Sequence, residues 1–179
     1  HWTNAPQVTE GTEIDMTEVR TYRTAHRDEW REAFGTMPSL NDVVLKAAAT
    51  ALAAHPGLNA ALVDGAIHRY REINLGVAID VEDGLVVPVL RNADQLSLGQ
   101  VASGVVDLSA RAKESKLTPQ DFEGATFTVS NLSSLGVDWF TPVLNPPQCA
   151  LLGVGRMRRA PAAVGHEVVV RDLATFVLT

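Results

Sequence analysis

Cysteine, positive charge and long apolar runs are all scarce in this sequence. The single cysteine, Cys149, has no partner for an intrachain disulfide or a thiolate zinc site. Lysine and arginine number 15 against 21 acidic residues, a formal charge of −6, whereas a nucleic-acid-binding surface needs clustered positive charge. No apolar run approaches the roughly 20 residues that span a bilayer, and residues 1–4 lack the basic and apolar regions of a secretory signal. We therefore predict a soluble, acidic, cytoplasmic protein that binds neither nucleic acid nor membranes.

The sequence does contain enough apolar residues for a folded core. Hydrophobic residues make up 46% of the 179 residues and charged residues 20%, which excludes a disordered tail. Prolines are scattered rather than gathered into a linker, and no internal repeat or low-complexity tract is present. This length and composition predict one domain over residues 1–179.

The first predicted helix covers residues 16–34. Asp15 stands where it can cap this helix, and Glu18 lies at the capping-box offset from it. Gly35 follows the last helical residue, which is the usual place for a terminating glycine. We therefore predict one continuous helix here.

Two further segments have the apolar spacing and the serine caps of helices. Ser39 opens a helix that stops at the His-Pro-Gly sequence of residues 55–57. Ser97 opens another over residues 97–115, where the apolar residues fall three or four positions apart. Both segments are predicted to bury one face.

Elsewhere the apolar pattern is that of strands. Asp64-Gly65, between two short apolar runs, predicts a hairpin with a type I′ turn. Strands are predicted over residues 7–15, 61–63, 66–70, 73–80, 85–90, 126–131, 150–154, 167–170 and 173–179. This order of elements predicts an α+β fold, a two-layer sandwich of a mixed β-sheet with helices on one face.

The common catalytic motifs are absent from the sequence. It contains no phosphate-binding loop, no zinc-protease motif and no nucleophile elbow. The Gly-Val-Gly sequence at 153–155 lacks the third glycine and the following helix of a dinucleotide site. None of the five histidines stands beside a convincing nucleophile. The residues alone therefore identify no general base, and no metal site is predicted.

The segment 126–132 places hydroxyl and amide side chains at the end of an apolar strand. Ser130 there could donate a hydrogen bond to a developing oxyanion, as acyl-transfer chemistry requires. Alternatively, Ser130 and Asn131 only end the strand and begin a turn. Residue types alone leave both interpretations open.

Several sequence blocks, in order along the chain, resemble the catalytic domain of dihydrolipoamide acyltransferases, the core subunits of 2-oxo-acid dehydrogenase complexes. The most specific blocks are FTVSNL at 127–132, DWFTPVLNPPQ at 138–148 and ALLGVG at 150–155. The others are SLNDVVLKAA at 39–48, HPGLNA at 55–60, INLGVAID at 73–80 and GLVVPVL at 84–90. Together they cover nearly the whole chain.

This resemblance implies a chloramphenicol-acetyltransferase-like sandwich that assembles as a homotrimer, often within a larger cubic or icosahedral core. It implies an active site in a channel between subunits, which coenzyme A and the lipoyl group of a separate domain enter from opposite ends. A histidine of the family deprotonates the coenzyme A thiol and a serine stabilises the oxyanion. The implied partners are the lipoyl domain and the decarboxylase and dihydrolipoamide dehydrogenase subunits.

The resemblance also implies roles for individual residues. Ser130 matches the oxyanion donor of the family. The positions that match coenzyme A contacts are Arg23, Ser39, Asp80, Asn131, Gly155 and Met157. Simpler alternatives are a solvated helix arginine for Arg23, a helix cap for Ser39, a turn former for Asp80 and a bulge for Gly155.

The sequence departs from the family pattern in two ways. Ser133 stands where the family usually has glycine, so we expect a tighter or differently bonded loop after Asn131. The family motif Asp-His-Arg-x-x-Asp-Gly, which supplies the catalytic histidine, is expected just beyond Thr179, so this 179-residue chain is expected to lack the base and to be inactive. In the family, lipoyl and subunit-binding domains normally precede this domain, and we expect neither within these 179 residues.

Two other functions stay open at this stage. The chain could be a trimer-forming scaffold without catalysis, or a relative that acetylates a small molecule such as chloramphenicol. For the leading interpretation, the block around Ser130 favours acetyl or a short branched acyl group over succinyl.

Overall fold

A computed structural model describes residues 6–179 of the chain. The first four residues, used above against a secretory signal, lie outside this range. The helices are α1 Thr17–Ala25, α2 Arg27–Phe34, α3 Leu40–Ala54 and α4 Leu98–Lys113. The strands are β1 Glu10–Asp15, β2 Ala60–Val63, β3 Ala66–Arg69, β4 Leu75–Val77, β5 Ile79–Val81, β6 Gly84–Val86, β7 Val89–Leu90, β8 Phe127–Asn131, β9 Leu151–Val154, β10 Arg158–Val164 and β11 Glu167–Leu178.

The main sheet has the strand order β1-β11-β9-β8-β4-β7, and β10 pairs with the outer half of β11. Strand β8 runs parallel to both of its neighbours, β4 and β9, and the other pairs of this sheet are antiparallel. Strands β2–β3 and β5–β6 form separate two-stranded sheets. The predicted α+β sandwich of a mixed sheet with helices is confirmed.

Helices α3 and α4 pack against the central strands of the sheet. Leu45 of α3 and Val101 of α4 are fully buried together with Leu75 of β4 and Val129 of β8. Ser39 and Ser97 both cap their helices as predicted, and each forms a capping box, with Asp42 and Gln100 as the reciprocal partners. Within residues 6–179, no helix is long and apolar enough to cross a bilayer.

The prediction of one helix over residues 16–34 is wrong, because the helix breaks at His26. The backbone there has φ −98° and ψ 14°, and α2 starts anew at the next residue. The capping box of Asp15 and Glu18 is also wrong. Asp15 accepts a hydrogen bond from the Thr17 amide at 2.9 Å, two residues on, as in an Asx turn.

Four strand predictions differ from the structure because of long-range pairing. Residues 73–80 and 85–90 are each divided, and Pro88, which has no amide hydrogen, lies at the second break. The runs 167–170 and 173–179 join into β11. Strand β10, whose Pro161 sits on an edge strand, was not predicted. The predicted type I′ hairpin is confirmed by positive φ at both central residues of the β2–β3 turn.

Strand β8 is held in place by a buried asparagine at its start. The Asn74 backbone amide donates to the Thr126 hydroxyl at 3.1 Å, and the Thr126 amide donates to the Asn74 carbonyl at 2.8 Å. The Asn74 side chain also donates to the Gly124 carbonyl at 3.0 Å. These bonds fix β8 beside β4 and thereby position the functional segment at the far end of β8.

Candidate functional site

Ser130 lies near the end of β8, an interior strand, directly opposite Gly153 of β9. It is half-buried, and its hydroxyl forms no hydrogen bond with any residue of the described range 6–179. Two residues earlier on the same strand, the buried Thr128 hydroxyl donates to the Gln148 side chain at 2.7 Å. The Ser130 hydroxyl is therefore available to an external group, whereas that of Thr128 is already used.

Ser130 and Thr128 open into a cleft of about 430 Å³. Its walls come from the loop before β9 and from the β5–β6 region, and they are mostly apolar: Ala78, Leu85, Val87, Phe140, Pro142, Val143, Leu144 and Leu151. Thr141 and Asn145 complete the lining. A hydroxyl donor on such an apolar wall can form a hydrogen bond with a negative charge that develops beside it.

Gly153 supports the loop that forms one side of this cleft. A Cβ atom at Gly153 would lie 3.0 Å from the Phe140 ring and 3.1 Å from Pro142. The absence of a side chain lets the ring and the proline rest directly on β9, next to Ser130. From the sequence these residues were recognised only as parts of the blocks that resemble the family, because their contact depends on the register of β9 against β8.

Asn131 connects the end of β8 to the start of α3. Its amide nitrogen donates to the Asn41 side-chain oxygen at 2.9 Å, and its own side-chain oxygen accepts from the Ser133 amide at 2.9 Å. The loop after Asn131 is thus bonded through Ser133, and it turns at Gly136, where φ is +75°. Asn41 was missed as a member of the site, since its role depends on a contact 90 positions away in the chain.

Arg23 and Ser39 lie at the same end of α3. Arg23, in the last turn of α1, donates from Nε to the Pro38 carbonyl at 2.6 Å and is half-buried, so it is not simply a solvated arginine. The Ser39 hydroxyl accepts from the Asp42 amide at 3.1 Å and donates to the Asp42 carboxylate at 2.7 Å. The helix-cap role of Ser39 is confirmed, and its hydroxyl proton is already committed.

Gly155 lies where two backbone segments meet. Its amide donates to the Thr175 carbonyl at 2.9 Å, and the next amide, of Arg156, donates to the Val137 carbonyl at 2.7 Å. An added Cβ would overlap the Asp138 carbonyl oxygen, so only glycine fits here. Met157 follows, half-buried against the core.

Asp80 lies apart from this group, on the exposed side of β5. Its strand partner is Leu85, which lines the cleft beside Ser130. Because Asp80 is within β5 and the turn follows at residues 82–83, the turn-former alternative is wrong. The structure thus joins Arg23, Ser39 and Asn131 through the start of α3 and leaves Asp80 near the opposite wall of the cleft.

No histidine within residues 6–179 lines the cleft. His26 stacks on Tyr22 with ring centroids 3.9 Å apart, and His55 ends α3. The described part of the chain also holds no group of three or more side chains suited to a metal ion. The cleft therefore offers a hydroxyl group and mostly apolar walls.

Two curated relatives resemble this chain closely. It is 35% identical over 176 residues to the dihydrolipoyllysine-residue acetyltransferase component of an acetoin cleaving system from Bacillus subtilis, covering 98% of the chain and 44% of the relative. It is 37% identical over 168 residues to the corresponding component of a pyruvate dehydrogenase complex from Staphylococcus epidermidis, covering 92% and 38%. The chain therefore spans less than half the length of these relatives.

Solved structures agree with these relatives. A dihydrolipoamide acetyltransferase from Azotobacter vinelandii, investigated for the roles of a serine, a histidine and an asparagine in its catalytic mechanism, matches with a TM-score of 0.94 and 36% identity, covering 99% of this chain and 73% of that one. The cubic core of a pyruvate dehydrogenase multienzyme complex matches with the same values. A chloramphenicol acetyltransferase shares the fold, with a TM-score of 0.55 and 16% identity over 97% and 78% of the two chains.

The sequence profile of one family matches the chain from end to end, over residues 1–179. The profile describes the catalytic domain, which agrees with the mixed sheet and with the resemblance carried by the blocks around Ser130. This chain belongs to the 2-oxoacid dehydrogenase acyltransferase (catalytic domain) family.

Proposed function

We propose that this chain is the catalytic domain of a dihydrolipoamide acyltransferase, which transfers an acyl group from dihydrolipoamide to coenzyme A within a 2-oxo-acid dehydrogenase complex. The observation that carries the proposal is the Ser130 hydroxyl, which faces an apolar cleft at the end of an interior strand and forms no hydrogen bond with the described residues 6–179. In this proposal Ser130 donates to the oxyanion of the tetrahedral intermediate.

The chemistry requires an activated thiol and a stabilised oxyanion. An ordinary thiol has a pKa of about 8.5, so most of it is protonated at neutral pH and a general base must remove its proton. The thiolate then adds to the thioester carbonyl, and the tetrahedral intermediate collapses with release of the dihydrolipoyl thiol, which takes up a proton. One oxyanion donor typically contributes a factor of about 10²–10³ in such reactions.

The residues near the start of α3 suit recognition of coenzyme A. Arg23 uses Nε to hold Pro38, which leaves its terminal guanidinium nitrogens for a phosphate. Ser39 can act toward the coenzyme only as an acceptor, because its proton is given to Asp42. Asn131 lies beside both, through Asn41.

The other three coenzyme contacts that we propose, Asp80, Gly155 and Met157, lie elsewhere around the end of the sheet. Gly155 would contribute backbone and Met157 an apolar surface beside the coenzyme, while Asp80 would act from the β5–β6 hairpin. No contact of this set calls for a metal ion.

We further propose that the base is a histidine supplied by a segment following Thr179, and that the domain works as a homotrimer or larger core in which neighbouring subunits complete the site. The similarity to a cubic core structure supports the assembly. Both curated relatives described above are acetyltransferases, which favours acetyl as the acyl group. The lipoyl domain, the decarboxylase and the dihydrolipoamide dehydrogenase are the partners this function requires, and a cytoplasmic location stays a prediction.

The test compares two chains, the 179-residue domain and a longer chain that includes the downstream coding region. Both are assayed for acetyl transfer between acetyl-CoA and dihydrolipoamide. We expect the short chain to be slower by at least about 10²-fold, since a positioned general base typically contributes 10²–10⁴-fold. Replacing the downstream histidine in the longer chain should return its rate to that of the short chain.

Equal rates for the two chains would place the base within residues 1–179 and contradict the proposed location. If neither chain transfers acetyl groups although each assembles as a homotrimer, the scaffold alternative is favoured instead.

A further inference from the structure

Gln148 is a buried polar side chain that bonds to the same strand as Ser130. It is 6% exposed, and its side-chain oxygen accepts a hydrogen bond from the Thr128 hydroxyl at 2.7 Å. Its side-chain nitrogen donates to the Ala125 carbonyl at 3.3 Å. Because breaking either bond would leave a buried polar group unpaired, this side chain keeps a fixed orientation.

The backbone around Gln148 is fixed as well. The next amide, of Cys149, donates to the Ala60 carbonyl at 3.1 Å, and Gln148 itself pairs with Ala61 of β2 in an isolated bridge. The Gln148 amide donates to the Asn145 carbonyl at 3.1 Å, which closes a turn. Gln148 therefore joins β2, through the backbone, to β8, through its side chain.

The segment that ends at Gln148 forms much of the cleft wall, and we call its residues 138–147 the wall loop. Its residues 140–145 are half of those that line the cleft. An ion pair with Arg156 holds its start, and the Gln7 side chain makes two longer hydrogen bonds, of 3.3 and 3.4 Å, to its middle. Gln148 fixes its end to β8. One side chain thus helps to set the distance between the wall loop and the strand that faces the cleft.

We propose that Gln148 is a positioning residue that, through Thr128, holds the wall loop against β8 and so sets the size of the acyl group that fits beside Ser130. The inference rests on the proposed function for the nature of the ligand, an acyl thioester, and deepens it by naming a determinant of acyl selectivity. Gln148 does not touch the reacting atoms, since its side chain is bonded to Thr128 and Ala125. A rigid wall discriminates against one added methylene by about 10-fold or more, whereas a wall that can move adapts to the larger group.

The test compares transfer of acetyl and of isobutyryl from coenzyme A to dihydrolipoamide by the full-length protein, whose parent form should favour acetyl. Gln148→Met keeps the size of the side chain but removes the acceptor, and Thr128→Val removes the hydroxyl. Each should lower the acetyl-to-isobutyryl ratio of kcat/KM by about 10-fold. The double variant should show no further fall, because both substitutions break the same bond. Loss of folded protein lowers both rates equally, so the ratio separates positioning from stability.

Two variants serve as controls for this ratio. Thr128→Ser keeps the hydroxyl and should restore the ratio of the parent. Gln95→Met makes the same replacement at an exposed glutamine and should also leave the ratio unchanged. A parent ratio in both Gln148→Met and Thr128→Val would overturn the proposal. Additive falls in the double variant would do so too, because they would mean that the two side chains act separately.

Hydrogen exchange of the same full-length variants needs no catalysis. The amides of Gln148 and Cys149 are hydrogen-bonded, and they report on the end of the wall loop. Their exchange should become several-fold faster in Thr128→Val, a change 20 positions away in the chain, but not in Thr128→Ser. Unchanged exchange in Thr128→Val would overturn the proposal.

The two measurements separate this inference from the proposed function. Faster exchange in Thr128→Val, in a protein whose parent form transfers no acyl group, would contradict the proposed function and leave the hold of Gln148 on the wall loop standing. Acyl transfer with the ratio and the exchange unchanged in the variants would do the reverse.

Discussion

Replacing Ser130 with alanine is expected to lower kcat for acyl transfer by about 10²–10³-fold in the longer, active chain, which corresponds to about 2.7–4 kcal/mol of transition-state stabilisation. The reason is that the Ser130 hydroxyl is the polar donor that β8 presents to the apolar cleft, since Thr128 gives its proton to Gln148. KM for coenzyme A should change little, because Ser130 acts on the reacting carbonyl rather than on the coenzyme.

The stability of this variant provides the control for its activity. The Ser130 hydroxyl has no partner among residues 6–179, so its removal should leave the free energy of unfolding nearly unchanged. Ser134→Ala, in the exposed loop four residues on, is the matched variant and should keep full activity. A Ser130→Ala enzyme with a kcat near that of the parent would remove Ser130 from the mechanism.

Gly155→Ala should destabilise the domain by about 3 kcal/mol or more, at the upper end of the usual effect of overpacking. The new Cβ would overlap the Asp138 carbonyl oxygen and lie 2.8 Å from its carbonyl carbon and 3.3 Å from the Thr175 carbonyl oxygen. These are backbone atoms, which cannot swing aside as a flexible side chain can. The loop that carries Phe140 would therefore have to move away from β9, and the cleft wall beside Ser130 would move with it.

Gly11→Ala is the matched control for this substitution. Gly11 lies in strand β1, and a Cβ there would be 3.7 Å from its closest neighbour, an ordinary contact. Neither glycine has a positive φ, so the comparison isolates the steric clash. Chemical denaturation should show a large decrease in the free energy of unfolding for Gly155→Ala and little change for Gly11→Ala. Equal stability of the two variants would mean that the Asp138 loop moves aside without a measurable loss of stability.

Features of the fold that depend on neighbouring residues could be predicted from the sequence. The Ser39 and Ser97 capping boxes require only a serine and a partner three residues later, and the type I′ turn requires only Asp64-Gly65. The fold class followed from the order of such elements.

Features of the fold that depend on distant contacts could not be predicted from the sequence. Strand β10 carries Pro161 and is visible as a strand only because β11 extends far enough to pair with it. The break at His26 likewise follows no local signal, since neither proline nor glycine is present there. Pairing partners decide these elements, and a single sequence does not contain the register.

The candidate site likewise has residues that local sequence identifies and contacts that only the fold creates. Ser130 and Asn131 could be located because hydroxyl and amide groups end an apolar strand within a block that resembles the acyltransferases. The contact of Asn131 with Asn41, and the seating of Phe140 on Gly153, arise only once α3, β8 and β9 come together. Their residue types, an asparagine, a phenylalanine and a glycine, are common in ordinary loops and strands.

The central claim is that this domain moves acyl groups between coenzyme A and a dihydrolipoyl thiol. Its most direct test uses two parallel reactions of the longer chain with acetyl-CoA. One contains dihydrolipoamide as the acceptor and the other contains chloramphenicol. We expect S-acetyldihydrolipoamide and free coenzyme A in equal amounts, with no acetylated chloramphenicol. Acetylation of chloramphenicol alone, or no transfer to either acceptor, would contradict it.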